Sequence, residues 1–165
     1  MSTRHSSATS SNDSSAFLQF LTFRVATEEY GVELLSVQEI RAFSTLTPLP
    51  GSPPHVKGVI NLRGVLVPVI GLRERLNLES IPYDRYTVIV VLHVKGRVVG
   101  VIVDAVSDVL ALSPNEVDPS PDIGLSDRTF LRGLGKLKDK LITLLEPSSL
   151  IHELIGTATV EEIAA

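Results

Sequence analysis

The chain has 165 residues, 44% of them apolar, and carries fifteen Lys and Arg against nineteen Asp and Glu, a formal net charge of −4. That length supports a buried core in one domain or two small subdomains. The acidic balance argues against a nucleic-acid partner, whose phosphates are met by clustered Lys and Arg, and the absence of Cys removes disulfides, thiolate catalysis and Cys-based zinc sites.

Aromatic residues make up only 5% and Trp is absent, which leaves few platforms for base stacking. No run approaches the ~18 apolar residues needed to cross a bilayer. The N-terminus lacks the apolar segment of a secretory signal. The expectation is a cytoplasmic protein whose link to any membrane runs through a partner.

Residues 1–16 are rich in Ser and Thr and cannot bury enough apolar area to offset chain entropy, so they read as a disordered tail. The run from Phe17 to Val25 can place Phe17, Leu21, Phe23 and Val25 on one face of a strand, with Gln19 the exception. Tyr30 to Glu33 then pairs back as a first hairpin. Residues 34–41 fit one or two helical turns that run into a strand at Ile40–Phe43. Residues 47–55 hold four prolines and read as a loop.

Two Val/Ile-rich runs follow, Val56–Leu62 and Val65–Gly71, joined at Arg63-Gly64. Branched residues favour strands, and a two-residue connection containing Gly reads as a tight hairpin turn. Such a turn would hold the Arg63 guanidinium at a fixed place, suited to a partner's carboxylate. A solvated turn residue is the plainer reading. Pro68 inside the second run predicts an edge strand or a bulge.

After a charged link, Tyr86–Val94 and Arg97–Val106 form a second Gly-containing hairpin, and Val109–Leu112 a further short strand. Asp104 and Asp108 flank a strand end and read as turn acceptors. Residues 115–126 read as a loop. Phe130–Leu137 and Lys140–Leu145 form a last strand pair turning at Lys138-Asp139. Pro147-Ser148-Ser149 starts a helix, in which Leu150, Ile151, Leu154 and Ile155 recur at helical spacing before Gly156. About ten short strands in two groups suggest paired small barrels, 17–80 and 81–146, with a helix over 147–155 packing back and a tail over 156–165.

An enzyme is disfavoured. His5, His55, His93 and His152 are scattered without metal-ligand spacing, and neither a Gly-x-Ser-x-Gly elbow nor a phosphate-binding loop is present. No cofactor is implied. A small β-barrel binding module of another kind, for single-stranded nucleic acid or peptide, is the alternative to the reading below.

The chain resembles the CheW family, the coupling proteins of bacterial chemotaxis arrays. The segments that carry the resemblance are Tyr30-Gly31-Val32, Val37-Gln38-Glu39-Ile40-Arg41, Lys57-Gly58-Val59-Ile60-Asn61-Leu62-Arg63-Gly64 with Val67-Pro68-Val69-Ile70, Arg97 to Asp104, Val106-Ser107-Asp108-Val109-Leu110, and Leu134-Gly135. It covers residues 17 to about 155. The family implies an all-β fold of two SH3-like five-stranded barrels with a short C-terminal helix. It also implies a non-catalytic adaptor between the cytoplasmic tip of chemoreceptors and the regulatory domain of the histidine kinase CheA, one that joins rings with that domain or with itself.

By position, the resemblance implies that Val37, Glu39, Ile40, Gly58, Arg63 and Val88 line the receptor groove, Gly58 by allowing close backbone approach. Leu66, Val99 and Gly100 would lie nearer the kinase. Gly71 departs from the family's usual Asp, a structural hydrogen-bond acceptor, which puts the local geometry in question.

Overall fold

The computed structural model describes residues 17–119 and 131–150. The expected tails, part of the loop after residue 115 and the later turns of the last helix lie outside these residues. The first hairpin is β1 (Leu18–Val25) and β2 (Glu28–Glu33). A 3-10 turn at Leu34–Ser36 leads into β3 (Val37–Ala42), so the expected helical stretch is a single tight turn. Then come β4 (Val56–Leu62), β5 (Val65–Gly71), a four-residue helix α1 (Leu72–Arg75), β6 (Val88–Val94) and β7 (Arg97–Val103). They are followed by β8 (Ala105–Leu112), a 3-10 turn at Pro114–Glu116, β9 (Val117–Asp118), β10 (Leu131–Leu137) and β11 (Lys140–Leu145). Residues 147–150 are helical.

The expectation of an all-β chain in two strand groups holds, but the groups do not divide at residue 80. One sheet runs β8-β1-β2-β11-β10-β9 and the other β3-β6-β7-β5-β4. The N-terminal hairpin therefore belongs with the C-terminal strands, and 37–103 forms the other group. The chain passes between sheets twice, through the turn at 34–36 and through Asp104. A strand-by-strand reading assigns neighbours in sequence to one sheet, and these two crossings defeat it.

The sheets share one plan. In the five-stranded sheet the hairpin β6–β7 takes β3 antiparallel on one side and β5 parallel on the other, and β4 pairs with β5. In the six-stranded sheet β1–β2 takes β8 and β11 in the same senses, and β10 pairs with β11. Irregularities recur in place. Register shifts fall between Val37 and Glu39 and at the matching point of β8, and between Val56 and Gly58 and between Leu131 and Gly133. Gly58 and Gly133 do the same work. A Cβ at Gly58 would run into the Thr47 carbonyl, and one at Gly133 would lie 2.7 Å from that of Asp118. These close approaches let the chain leaving β3 bridge to β4 (Thr47 to Val59) and let β9 pair with β10. Each sheet is thus curled toward its own far edge.

Three cores result. Ile60, Leu62, Val67, Val69, Ile89, Val91 and Ile102 fill the five-stranded sheet. Phe20, Leu112, Ile142 and Leu144 fill the other. Between the sheets, Leu21, Phe23, Val25 and Val32 meet Val90, Leu92, Val99, Val101 and Val103, with Leu145 and Leu150 sealing the contact. Strands facing a core on both sides lose polar alternation, which is why β6 reads Ile89-Val90-Val91-Leu92 without a break. The same two-sided burial corrects the expectation for β1: Phe20 is buried inside its sheet, whereas Phe17 precedes the strand and is exposed.

Pro68 does not mark an edge, because β5 lies between β4 and β7. Its partner Val59 directs both its N–H and its carbonyl to Thr47, and pairing with β7 begins only at Val69. The missing donor falls where no ladder bond is due.

Candidate functional site

The hairpin turn between β4 and β5 has positive φ at both central residues, 52° at Arg63 and 88° at Gly64. This is the twist that two-residue hairpins require. Asn61 Oδ1 accepts the Gly64 N–H at 2.7 Å and fixes the tip. Arg63 reaches across to β3, on the opposite edge of the sheet. Its Nη2 donates to Glu39 Oε1 at 3.0 Å and its Nη1 to Oε2 at 3.3 Å. Arg41 Nη1 stands 3.9 Å from the same carboxylate. The bonded guanidinium holds the Glu39 carboxyl below the usual carboxylate range, against partial desolvation and with help from the charges of Arg63 and Arg41. Arg63 keeps 67% of its side chain in solvent, so the pair orients a cationic head without hiding it.

The register sets Glu39, paired with Val91, on the opposite face of β3 from the other residues expected in the groove. Val37, Ile40 and Val88 lie on one face of the β3–β6 ladder, set by the pairings of Val37 with Leu92, Ile40 with Val90 and Ala42 with Val88. Val37 and Val88 pack against the core between the sheets, while Ile40 is 45% exposed. Gly58 does allow close backbone approach, but the approaching group is the chain's own Thr47 carbonyl.

The expected kinase-side residues divide. Leu66 is exposed beside an equally open Val65. Val99 and Gly100 are buried: Val99 lies in the core between the sheets, and a Cβ on Gly100 would sit 2.9 Å from Ile89 and 3.2 Å from Val69. Strand β7 runs mid-sheet, so neither residue offers a surface.

Sequence reasoning missed a second ion pair. Asp104 is more than an acceptor for a turn: it also holds a mostly buried ion pair. Its carboxylate takes Arg73 Nε at 3.0 Å, Arg73 Nη2 at 2.7 Å and the Ala26 N–H at 2.8 Å, and its own N–H donates to the Arg24 carbonyl. Burial raises its pKa, but the bonds from Arg73 and Ala26 and the charges of Arg73 and Arg24 outweigh that and leave it low. The signal was present: a carboxylate interrupting Val101-Ile102-Val103-Asp104-Ala105-Val106 needs a partner.

At Gly71, where the resemblance led us to expect an Asp, the N–H donates to the His55 carbonyl at 2.8 Å. The space beyond its Cα is filled by the Glu74 carboxylate, which also meets Ser80 and lies 3.5 Å from Lys57 Nζ. An acceptor is therefore supplied from the next turn of chain.

Among the described residues no group of three or more His, Asp or Glu gathers in metal-binding reach, and no helix is long and apolar enough to cross a membrane. Two curled sheets around a shared core, with exposed apolar side chains and an oriented Arg at one rim, define a β-sheet interaction module. The family comparison makes this specific. The model of the CheW-like domain matches residues 19–154, and the chain belongs to that family of chemotaxis scaffold proteins. It is 42% identical to the chemotaxis protein CheW of Klebsiella aerogenes over 134 residues, 81% of each chain. It is 40% identical to that of Rhizobium meliloti, over 79% of this chain and 85% of the relative. The crystal structure of the scaffolding protein TtCheW from Thermoanaerobacter tengcongensis superposes with a TM-score of 0.74 at 31% identity, covering 78% of this chain and 88% of that one.

Proposed function

We propose that this chain is a non-catalytic cytoplasmic adaptor that couples chemoreceptors to the histidine kinase CheA and is recruited by the receptors to membrane arrays. An adaptor must offer separate faces, since a stable contact takes about 800 Å² from each partner. In this reading Val37, Ile40 and Val88 seat the helical receptor tip, and Arg63, steadied by Glu39, meets a receptor carboxylate at the rim. Leu66 and Val65 belong to the kinase-side face. Coupling then needs no chemistry: a receptor that binds the assembly differently in its two signalling states shifts the kinase equilibrium by that difference in affinity.

The observation that carries the reading is the Arg63–Glu39 pair. A side chain bearing a Cβ at positive φ costs about 1 kcal/mol that Gly would avoid. An Arg kept there, bonded yet two-thirds exposed, is a head held ready for a partner. Arg63→Asn keeps a favoured turn residue while removing the guanidinium. The variant should fold as the parent does and lose at least about tenfold in co-sedimentation with receptor-bearing membranes. Unchanged co-sedimentation would remove Arg63 from the receptor face.

A further inference from the structure

Val37 and Val88, two of the residues proposed to seat the receptor, pack against the core between the sheets. The chain changes sheets right beside them. Val88 pairs with Val103 at the end of β7. Only Asp104 and Ala105 separate Val103 from Val106, which lies in β8 of the other sheet and packs against the same core. Three steps of chain reach at most about 11 Å. Whatever fixes this crossing therefore fixes how Val88 on one sheet stands to Val106 on the other.

The side chain of Asp104 fixes it. Its carboxylate takes two bonds from Arg73, on α1 after β5, and one from the N–H of Ala26, in the turn between β1 and β2. Its own N–H donates to the Arg24 carbonyl at 3.0 Å. Arg73 Nη1 also donates to the Glu79 carbonyl at 3.0 Å, in the connection that leads to β6 and Val88. One carboxylate thus ties the five-stranded sheet to the first turn of the six-stranded one. The apolar layer does not do this by itself. Apolar burial is non-directional, and packed elements slide on one another by small shears. A guanidinium gripping a carboxylate through two bonds has a set geometry. The layer holds the sheets together, and the Asp104 node sets their angle at the crossing.

We propose that Asp104, gripped by Arg73 and Ala26, is a positioning residue for receptor binding: it sets the relation of β8 to the β3–β6 ladder, and with it the shape of the groove, without touching the receptor. The inference rests on the adaptor reading above and assigns a determinant of affinity to the same site. The residues given to the kinase-side face, Val65 and Leu66, stand at the start of β5, on one sheet alone, and do not depend on the node.

The chain has no Cys, so cysteines introduced at the exposed Gln38 of β3 and Ser107 of β8 are the only sites for a pair of spin labels. The distance distribution between the labels should shift or broaden when Asp104→Asn or, independently, Arg73→Gln is added. In unlabelled protein, at a temperature where each variant is folded by circular dichroism, affinity for a soluble chemoreceptor cytoplasmic fragment should fall about tenfold while affinity for the CheA regulatory domain stays the same. Ile142→Ala destabilises the fold from within the six-stranded sheet's own core, and should change neither the label distances nor receptor affinity. Unchanged distances or unchanged receptor affinity in both node variants, or an equal loss of affinity in Ile142→Ala, overturns the positioning role and leaves the adaptor reading standing. A parent chain that binds no receptor fragment overturns both.

Discussion

At the scale of single residues, two ion pairs do different work. Arg63–Glu39 lies at the rim and is mostly a matter of orientation, since exposed pairs contribute little to stability. Its folded-state carboxyl pKa is depressed. The pairing is therefore present above the ordinary carboxylate range and is lost only as pH falls through a value below it. Receptor binding should stay flat from neutral pH down to about pH 5, ordinary Glu titrating near 4.3. A loss of binding centred near pH 6 would show that another group controls the face. Arg73–Asp104 is structural, with both side chains about four-fifths buried, and it pins the point where the chain changes sheets. Asp104→Asn should lower stability by about 2 kcal/mol, seen as a lower urea midpoint at unchanged slope. The sequence displayed Arg63 through its Gly-containing turn. It hid the partner of Asp104, because Arg73 lies 31 positions away and only the fold brings the two together.

At the scale of elements, hairpins were readable and sheet membership was not. Dense β-branched runs around Arg63-Gly64 and Lys95-Gly96 identify their turns from local chemistry, and Leu-rich runs on either side of Lys138-Asp139 mark the third. Which hairpin joins which sheet depends on the parallel pairings of β5 with β7 and β11 with β2. Those pairings follow from long-range packing that leaves no periodic mark. The assignment of Val37, Ile40 and Val88 to a receptor groove is a proposal taken from family resemblance, since a half-exposed apolar residue on a strand has no signal of its own. Gly58 and Gly133 are the exceptions that geometry explains, each admitting a carbonyl where a Cβ would collide. Gly58→Ala and Gly133→Ala should each cost about 2 kcal/mol, because the obstructing atom is backbone and cannot rotate away. Thermal melts of the two variants should fall by similar amounts. A silent Gly133→Ala would contradict the shared plan.

At the scale of the whole molecule, the central point is that two curled sheets are fused through a common apolar layer. Phe23, Val32, Val90, Leu92, Val99 and Val101 from both sheets are almost wholly buried there. The molecule should therefore unfold in one step. Leu92→Ala should lower the stability of the whole by about 3 kcal/mol without splitting the transition, and two separated transitions would mean that the sheets are independent. This rigid union suits a scaffold, because faces on different sheets keep a fixed relation while partners change. The most direct test of the account is reconstitution of receptor-bearing membranes with CheA, reading kinase phosphorylation with and without this chain. The account predicts that receptor control of phosphorylation appears only when the chain is added, and that Arg63→Glu protein fails to restore it. Receptor control that is the same without the chain, or restored equally by the Arg63→Glu variant, would contradict it.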